Sequence, residues 1–173
     1  DVTVVPEQEN PDGNFPTTPS PNPEEKSAME LAIRKADEIG ADLVLATDPD
    51  ADRVGIAVRD DHGQMILLNG NMTGSLLVYY ILSQWKNSGK LTGKEFTVKT
   101  IVTTELIRDI SASFGVDCPD VLTGFKYIAE QIQNSPDKQF IVGGEESYGY
   151  LVGDFVRDKD AVSACCMIAE MAA

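Results

Sequence analysis

The stretch Ala46-Thr47-Asp48-Pro49-Asp50-Ala51-Asp52-Arg53 (residues 46–53) sets three carboxylates on alternate residues, with a guanidinium directly after them. Apolar runs flank it. Asp42-Leu43-Val44-Leu45-Ala46 reads as one buried strand and Val54-Gly55-Ile56-Ala57-Val58 as the next, so the acidic segment is a loop at a sheet edge. Hard divalent cations such as Mg2+ take oxygen ligands in near-octahedral array and keep positions open for water or phosphate oxygens. Fully extended, Asp48 and Asp52 would stand about 13 Å apart at Cα, too far to share one ion, so the segment must curl. Three carboxylates, one Mg2+ and Arg53 sum to zero charge, and an arriving phosphate would meet a metal and a cation.

Three other readings of the loop compete. An EF-hand beginning at Asp48 needs Gly at its sixth position and Glu at its twelfth; those positions hold Arg53 and Arg59. An aspartate-nucleophile phosphatase could use Asp50-Ala51-Asp52-Arg53-Val54, but its nucleophile follows the strand directly, and here Thr47-Asp48-Pro49 intervenes. A merely solvated acidic turn seldom sits between two apolar strands with an Arg attached. Metal binding by Asp48, Asp50 and Asp52 is the reading that fits.

At 173 residues, 42% hydrophobic and 24% charged, the chain has the composition of an ordinary globule with a sizeable core. Its net charge of −14 argues against a nucleic-acid or anionic-membrane partner, so an anionic ligand must be held by local cations working against the overall field. No apolar run approaches the roughly 20 residues of a membrane span, and no signal peptide opens the chain. Cys118 and the adjacent pair Cys165-Cys166 make an odd count, pointing to a reduced, cytoplasmic setting. His62, the lone histidine, sits in Asp60-Asp61-His62-Gly63 and reads as a hairpin-turn residue. The chain opens without Met in a strand-like Val2-Thr3-Val4-Val5 and stops in a helical run from Cys165 to Ala173, as an excised piece of a larger protein would.

Residues 6–23 are rich in Pro, Asn, Asp and Glu and read as a loop. Pro23-Glu24-Glu25 then opens a helix that Gly40 stops, with Met29, Ala32, Ile33, Ala36 and Ile39 as its buried stripe. Strands follow at 42–47, 54–59 and 64–68. A helix runs from Asn71 to Asn87, with Leu76, Leu77, Tyr80, Ile81 and Trp85 on its apolar side. Next come a strand (Phe96–Val102), a helix (Thr104–Phe114), a strand (Val116–Leu122), a helix (Gly124–Asn134), a strand (Gln139–Val142), a Gly/Glu loop and a terminal helix from Asp160. This alternation is that of an α/β sandwich, with a seam near Leu68–Asn71 between the end of one α/β domain (1–68) and most of another (69–173).

Other constellations carry weaker signals. In Gly143-Gly144-Glu145-Glu146-Ser147-Tyr148-Gly149, Glu145 and Ser147 could face one side of a turn and grip vicinal sugar hydroxyls, or simply cap a helix. Asp160 suits a helix N-cap; Arg157 and Lys159 beside it are phosphate ligands or a solvated charge cluster. Thr123-Gly124-Phe125-Lys126 joins a strand to a helix N-terminus, a usual anion site. Lys99 interrupts an apolar strand as an edge-strand charge or a strand-end phosphate ligand.

Taken together, these stretches resemble the α-D-phosphohexomutase superfamily, nearest to its phosphoglucomutase branch, which includes enzymes acting on pentose phosphates. The likeness is carried by Pro6 to Thr17, Pro21 to Glu24, Thr47 to Arg53, Lys99 to Glu105, Thr123 to Ile128, Gly144 to Gly149 and Arg157 to Asp160, nearly the whole chain in the family's order. The resemblance implies three-layer α/β/α domains with mixed sheets, one partial and one nearly complete. It also implies phosphoryl transfer between the 1- and 6-hydroxyls of a hexose through an enzyme phosphoserine and a sugar bisphosphate, glucose 1,6-bisphosphate. Asp48, Asp50 and Asp52 would then hold Mg2+. Arg53 would orient the phosphoserine, and Lys159 would lie near the transferring phosphoryl as phosphate ligand or proton shuttle. Glu145 and Ser147 would grip ring hydroxyls, Thr123 and Gly124 would line the pocket, and Lys126 and Lys99 are weaker carry-overs.

The family's Ser-His nucleophile loop and its C-terminal phosphate loop have no counterpart here. They belong to domains I and IV, so the chain by itself is expected to be inactive. Beside glucose phosphates, mannose or pentose phosphates are alternative substrates. The rival classes are the aspartate-nucleophile phosphatase and a non-catalytic metal- or sugar-phosphate-binding module.

Overall fold

Two separate sheets, rather than one, carry the strands. The computed structural model describes residues 1–173. In chain order its elements are α1 (Lys26–Ile39), β1 (Leu43–Thr47), β2 (Val54–Arg59), β3 (Met65–Leu68), α2 (Gly70–Asn87), β4 (Glu95–Thr100), α3 (Leu106–Ser113), β5 (Asp120–Val121), α4 (Phe125–Gln133), β6 (Gln139–Gly144), β7 (Tyr150–Val152) and α5 (Ala161–Ala172). Strands β1-β2-β3 form an antiparallel meander with Thr47 opposite Val54 and Val58 opposite Ile66. The second sheet has the order β5-β4-β6-β7; β4 runs parallel to both neighbours, while β7 turns back antiparallel to β6. No helix is long and apolar enough to cross a membrane.

The helices cover both faces of each sheet. Met29 and Ala36 of α1 bury against Val44 and Ala57 on the outer face of the three-stranded sheet. Phe125, Ile128 and Ile132 of α4 pack on Phe96, Val98, Phe140 and Leu151 of the four-stranded sheet. Between the sheets lies a third core, where Ala161, Ala164 and Ile168 of α5 join Leu77, Val78, Ile81 and Leu82 of α2 to Val54, Ile56 and Leu68 on one side and Ile141, Val142 and Tyr150 on the other. The fold is thus an α/β arrangement whose central helical layer is shared.

Several local expectations shift. Helix α1 starts at Lys26 rather than Pro23, because the Asn22 side chain accepts the Glu24 amide and its carbonyl the Glu25 amide, a turn that competes with helix. Ile39 is half-exposed and lies outside the cluster that Met29 and Ala36 form with the sheet. Val2–Val5 is not a strand; Val2 and Val4 lie in water with no partner strand. Leu76 faces outward, and Val78 and Leu82 take its place in the stripe of α2. Strand β4 ends at Thr100, with Ile101 and Val102 in an exposed turn. The expected strand 116–122 shrinks to β5 because Pro119, which has no N–H, interrupts the ladder after a single bridge from Asp117 to Phe96. Strand β7 is unforeseen: three residues are too few to show a period, so residues 145–149 are a hairpin loop and not a lead-in to α5.

Candidate functional site

The β1–β2 hairpin presents the acidic loop. Its curl is built by Ala51, at φ +54°, and by Asp48, whose Oδ1 accepts the amides of Asp52 and Arg53 at 3.0 Å each. The curl brings one carboxylate oxygen from each of Asp48, Asp50 and Asp52 within 4.8 Å of one another. Asp48 and Asp52 are half-buried and Asp50 is exposed. Burial pushes the Asp48 carboxyl above its usual range; the Arg53 amide opposes this and neighbouring Asp52 reinforces it. Burial acts on Asp52 in the same sense, but the hydrogen bonds from Lys159 and Asp48 and the charges of Lys159 and Arg53 outweigh it and hold Asp52 low. This all-oxygen set, with two members fixed by backbone and Lys159 contacts and one free, fits the chemistry of a hard divalent cation.

Two other segments close on this loop. Lys159, just ahead of α5, places Nζ 2.9 Å from Asp52 Oδ2 and 5.5 Å from the centroid of the Phe125 ring. Burial works against its charge, but Asp52 and Asp158 outweigh that and raise its pKa, so Lys159 is an ammonium at neutral pH. Its stem lies so close over Gly149 that a Cβ there would collide with it. The β6–β7 hairpin loop is joined to the acidic loop by the Val54 amide, which donates to the Tyr148 carbonyl at 3.0 Å. The first amide of α5, Ala161 N–H, donates to the Ala51 carbonyl at 3.0 Å. Within the hairpin loop Glu145 is buried and accepts the Gly124 amide at 2.9 Å, so the hairpin loop and the β5–α4 turn are bonded directly. Ser147 is half-buried at the loop's apex.

The remaining expected residues are placed as follows. Arg53 is half-exposed and bonds Glu24 Oε1 at 3.1 Å, a partner not anticipated, while its Nε lies 3.9 Å from Asp48 and 3.8 Å from Asp52. Thr123 is exposed beside Gly124. Lys126 is exposed on the first turn of α4, its ammonium 4.9 Å from the centroid of the Tyr127 ring. Lys99 requires correction. It lies on β4, which is paired on both edges, so it is no edge-strand charge; and its fully buried Nζ is engaged by Glu105 (2.9 Å), Asp120 (3.0 Å) and the Thr103 carbonyl (3.1 Å), leaving it no capacity as a phosphate ligand. Asp160 caps α5, accepting the Ser163 amide at 3.1 Å. His62 lies in the β2–β3 turn, its amide donating to Asp60.

Gly70 and Glu146 were missed by the sequence reading. Gly70 opens α2 against the hairpin loop so closely that a Cβ would strike the Glu146 carbonyl. Alanine there gains about 1 kcal/mol of helix propensity, but the obstacle is backbone, and overpacking of this kind costs about 1–3 kcal/mol. Gly70→Ala is therefore expected to lower the thermal midpoint by about 5 °C, as followed by circular dichroism.

Two family models match the chain. Residues 1–63 match the family model described as phosphoglucomutase/phosphomannomutase, alpha/beta/alpha domain II, and residues 69–173 match alpha/beta/alpha domain III. A curated phosphoglucomutase of Staphylococcus aureus (strain USA300) is 42% identical over 170 residues, covering 98% of this chain and 30% of the relative. The chain thus spans about a third of the length of the curated relatives it matches. Among solved structures, a phosphoglucomutase/phosphomannomutase family protein from Burkholderia thailandensis superposes with TM-score 0.73 at 17% identity over 92% of this chain and 32% of that one. Aspergillus fumigatus N-acetylphosphoglucosamine mutase, in complex with GlcNAc-6P and magnesium, does so with TM-score 0.57 at 16% identity over 76% of this chain and 32% of that one.

Proposed function

This chain belongs to the phosphoglucomutase/phosphomannomutase family, and from that premise we propose that it forms the two central domains, 1–68 and 69–173, of a phosphoglucomutase interconverting glucose 1-phosphate and glucose 6-phosphate. A phosphoserine from a domain outside the chain gives its phosphoryl group to the free hydroxyl of the sugar phosphate. The resulting glucose 1,6-bisphosphate turns over and returns its other phosphoryl group to the serine, so the enzyme ends phosphorylated as it began.

The single observation that carries this reading is the convergence of the acidic loop, the Glu145–Ser147 loop and Lys159. They are tied by Lys159 to Asp52, Tyr148 to Val54 and Ala51 to Ala161. Asp48, Asp50 and Asp52 are the residues that would hold Mg2+, which supplies Lewis-acid polarisation of phosphoryl oxygens when bound. The magnesium present with the Aspergillus fumigatus mutase supports this assignment. Phosphoryl transfer depends on positioning and on cations set against equatorial oxygens. Lys159, held as an ammonium, acts as a phosphate ligand rather than a base, and Arg53 lies beside the same carboxylates to orient a phosphate. Glu145 and Ser147 grip ring hydroxyls that the sugar presents in both of its orientations, while Thr123, Gly124 and Lys126 line the pocket.

The test is turnover by the complete protein, with its flanking domains, set against the 173-residue chain. Mg2+-dependent conversion of glucose 1-phosphate is expected from the former only, with mannose 1-phosphate and a pentose 1-phosphate as weaker competing substrates. Robust mutase activity from the chain alone, or phosphate release without isomerisation by the complete protein, overturns the proposal.

A further inference from the structure

Between β4 and the hairpin loop lies a hydroxyl–carboxylate cluster that the mechanism above does not use. Thr100 and Thr103 are buried, and their hydroxyls lie 2.7 Å apart. Both also reach Glu146 Oε2, at 3.2 and 2.9 Å. Two hydroxyl protons serve three oxygen–oxygen contacts, and the carboxylate is the one member that cannot donate. The Thr100 proton fills the 2.7 Å contact and the Thr103 proton goes to Glu146, so the relay runs from Thr100 through Thr103 to the carboxylate and its last bond is charge-assisted.

The cluster is anchored on both sides. Lys99 Nζ donates to the carbonyls of Thr100 (3.3 Å) and Thr103 (3.1 Å), fixing the turn that carries the hydroxyls. Asn71 of α2 accepts the Thr104 amide at 2.9 Å. The Glu146 amide donates back to Thr103 Oγ1 at 3.3 Å, and Gly70 abuts the Glu146 carbonyl. Glu146 thus points into the protein between Glu145, bonded toward Gly124, and Ser147.

We propose that Glu146 is a positioning residue, latched by Thr100 and Thr103 so that Glu145 and Ser147 are held in the orientation that reads ring hydroxyls. This rests on the reading that those two residues grip the sugar. It also gives buried Lys99 a role: it holds the turn that holds the loop.

The test is steady-state kinetics of the complete protein with glucose 1-phosphate. Thr103→Val, which keeps the shape and removes the hydroxyl, is expected to raise KM about tenfold with little change in kcat, and Thr103→Ser is expected to restore it. Thr103→Val on a Glu145→Gln/Ser147→Ala background is expected to add less than about twofold, because the latch acts through those two residues. Should Thr103→Val fail to fold, Glu146→Ala, at a half-buried position, reads the same contact. A KM within about twofold of wild type in a folded latch variant, or losses that multiply with the Glu145→Gln/Ser147→Ala pair, overturns the latch and leaves the sugar-gripping reading standing. If Ser147→Ala and Glu145→Gln leave KM unchanged, the sugar-gripping reading itself falls, and the latch with it.

Discussion

Asp50→Asn is expected to lower the Mg2+-dependent interconversion of glucose phosphates by about 10³-fold or more, because a metal centre contributes several kcal/mol of transition-state stabilisation. Asp50 is the informative member of the triad. Asp48 staples two backbone amides and Asp52 holds Lys159, so their replacement mixes metal loss with loop damage. Asp50 is exposed and keeps its carboxylate free of such duties, so its asparagine variant should retain the parent's thermal midpoint while losing activity and, by isothermal titration, Mg2+ affinity. Unchanged kcat/KM with saturating Mg2+ would remove the triad from the proposed mechanism. An aspartate-nucleophile phosphatase would also lose activity on this change, but it would release phosphate and trap beryllofluoride on Asp50, outcomes a mutase does not share.

The largest expected effect on stability lies far from that loop. Glu95, buried at the start of β4, accepts the amides of Thr92, Gly93 and Lys94 and the Thr92 hydroxyl. Burial alone would raise its pKa, but the Thr92 hydroxyl and these amides outweigh it and bring the carboxyl down to about 2. A carboxyl depressed in the folded state contributes stability that is fully present above its unfolded value and is lost as pH falls through the folded one. Glu95→Gln is therefore expected to cost about 2–3 kcal/mol at pH 7. The difference from the parent should shrink between about pH 4.5 and pH 2. Urea denaturation across that range checks it, and a deficit that persists undiminished at pH 2 would refute it.

Much of this architecture was legible because local signals agreed. The acidic loop lies between two runs whose period is unambiguous, and β2 occupies 54–59 as read. Turn chemistry set the other boundaries: Gly40 closes α1 and Asp160 caps α5. What failed was decided by distant partners. Pro119 is the exception: it has no N–H to give the ladder, accepting only the Lys99 amide, and that signal stood in the sequence unused. Lys99 looks like a surface charge until Glu105 and Asp120 arrive from the start of α3 and from β5. Glu146 looks interchangeable with Glu145 until Thr100 and Thr103, 46 and 43 residues upstream, bond the one and the Gly124 amide bonds the other. Strand β7 has no period of its own and exists because β6 offers it an edge.

Helix α5, shared by the two sheets, governs how the cleft can move. Its first amide holds the acidic loop, Lys159 precedes it, and its apolar face is common to both cores. Sliding one sheet past the other would tear Ala161, Ala164 and Ile168 from one set of neighbours while they kept the other. The wall that carries the carboxylates and the wall that carries Glu145 and Ser147 therefore travel together, like two faces of one casting. Under the proposed function, a sugar read once from each end would find the distance between the acidic loop and the Glu145–Ser147 loop unchanged on its second visit. In that reading the turning is left to the sugar.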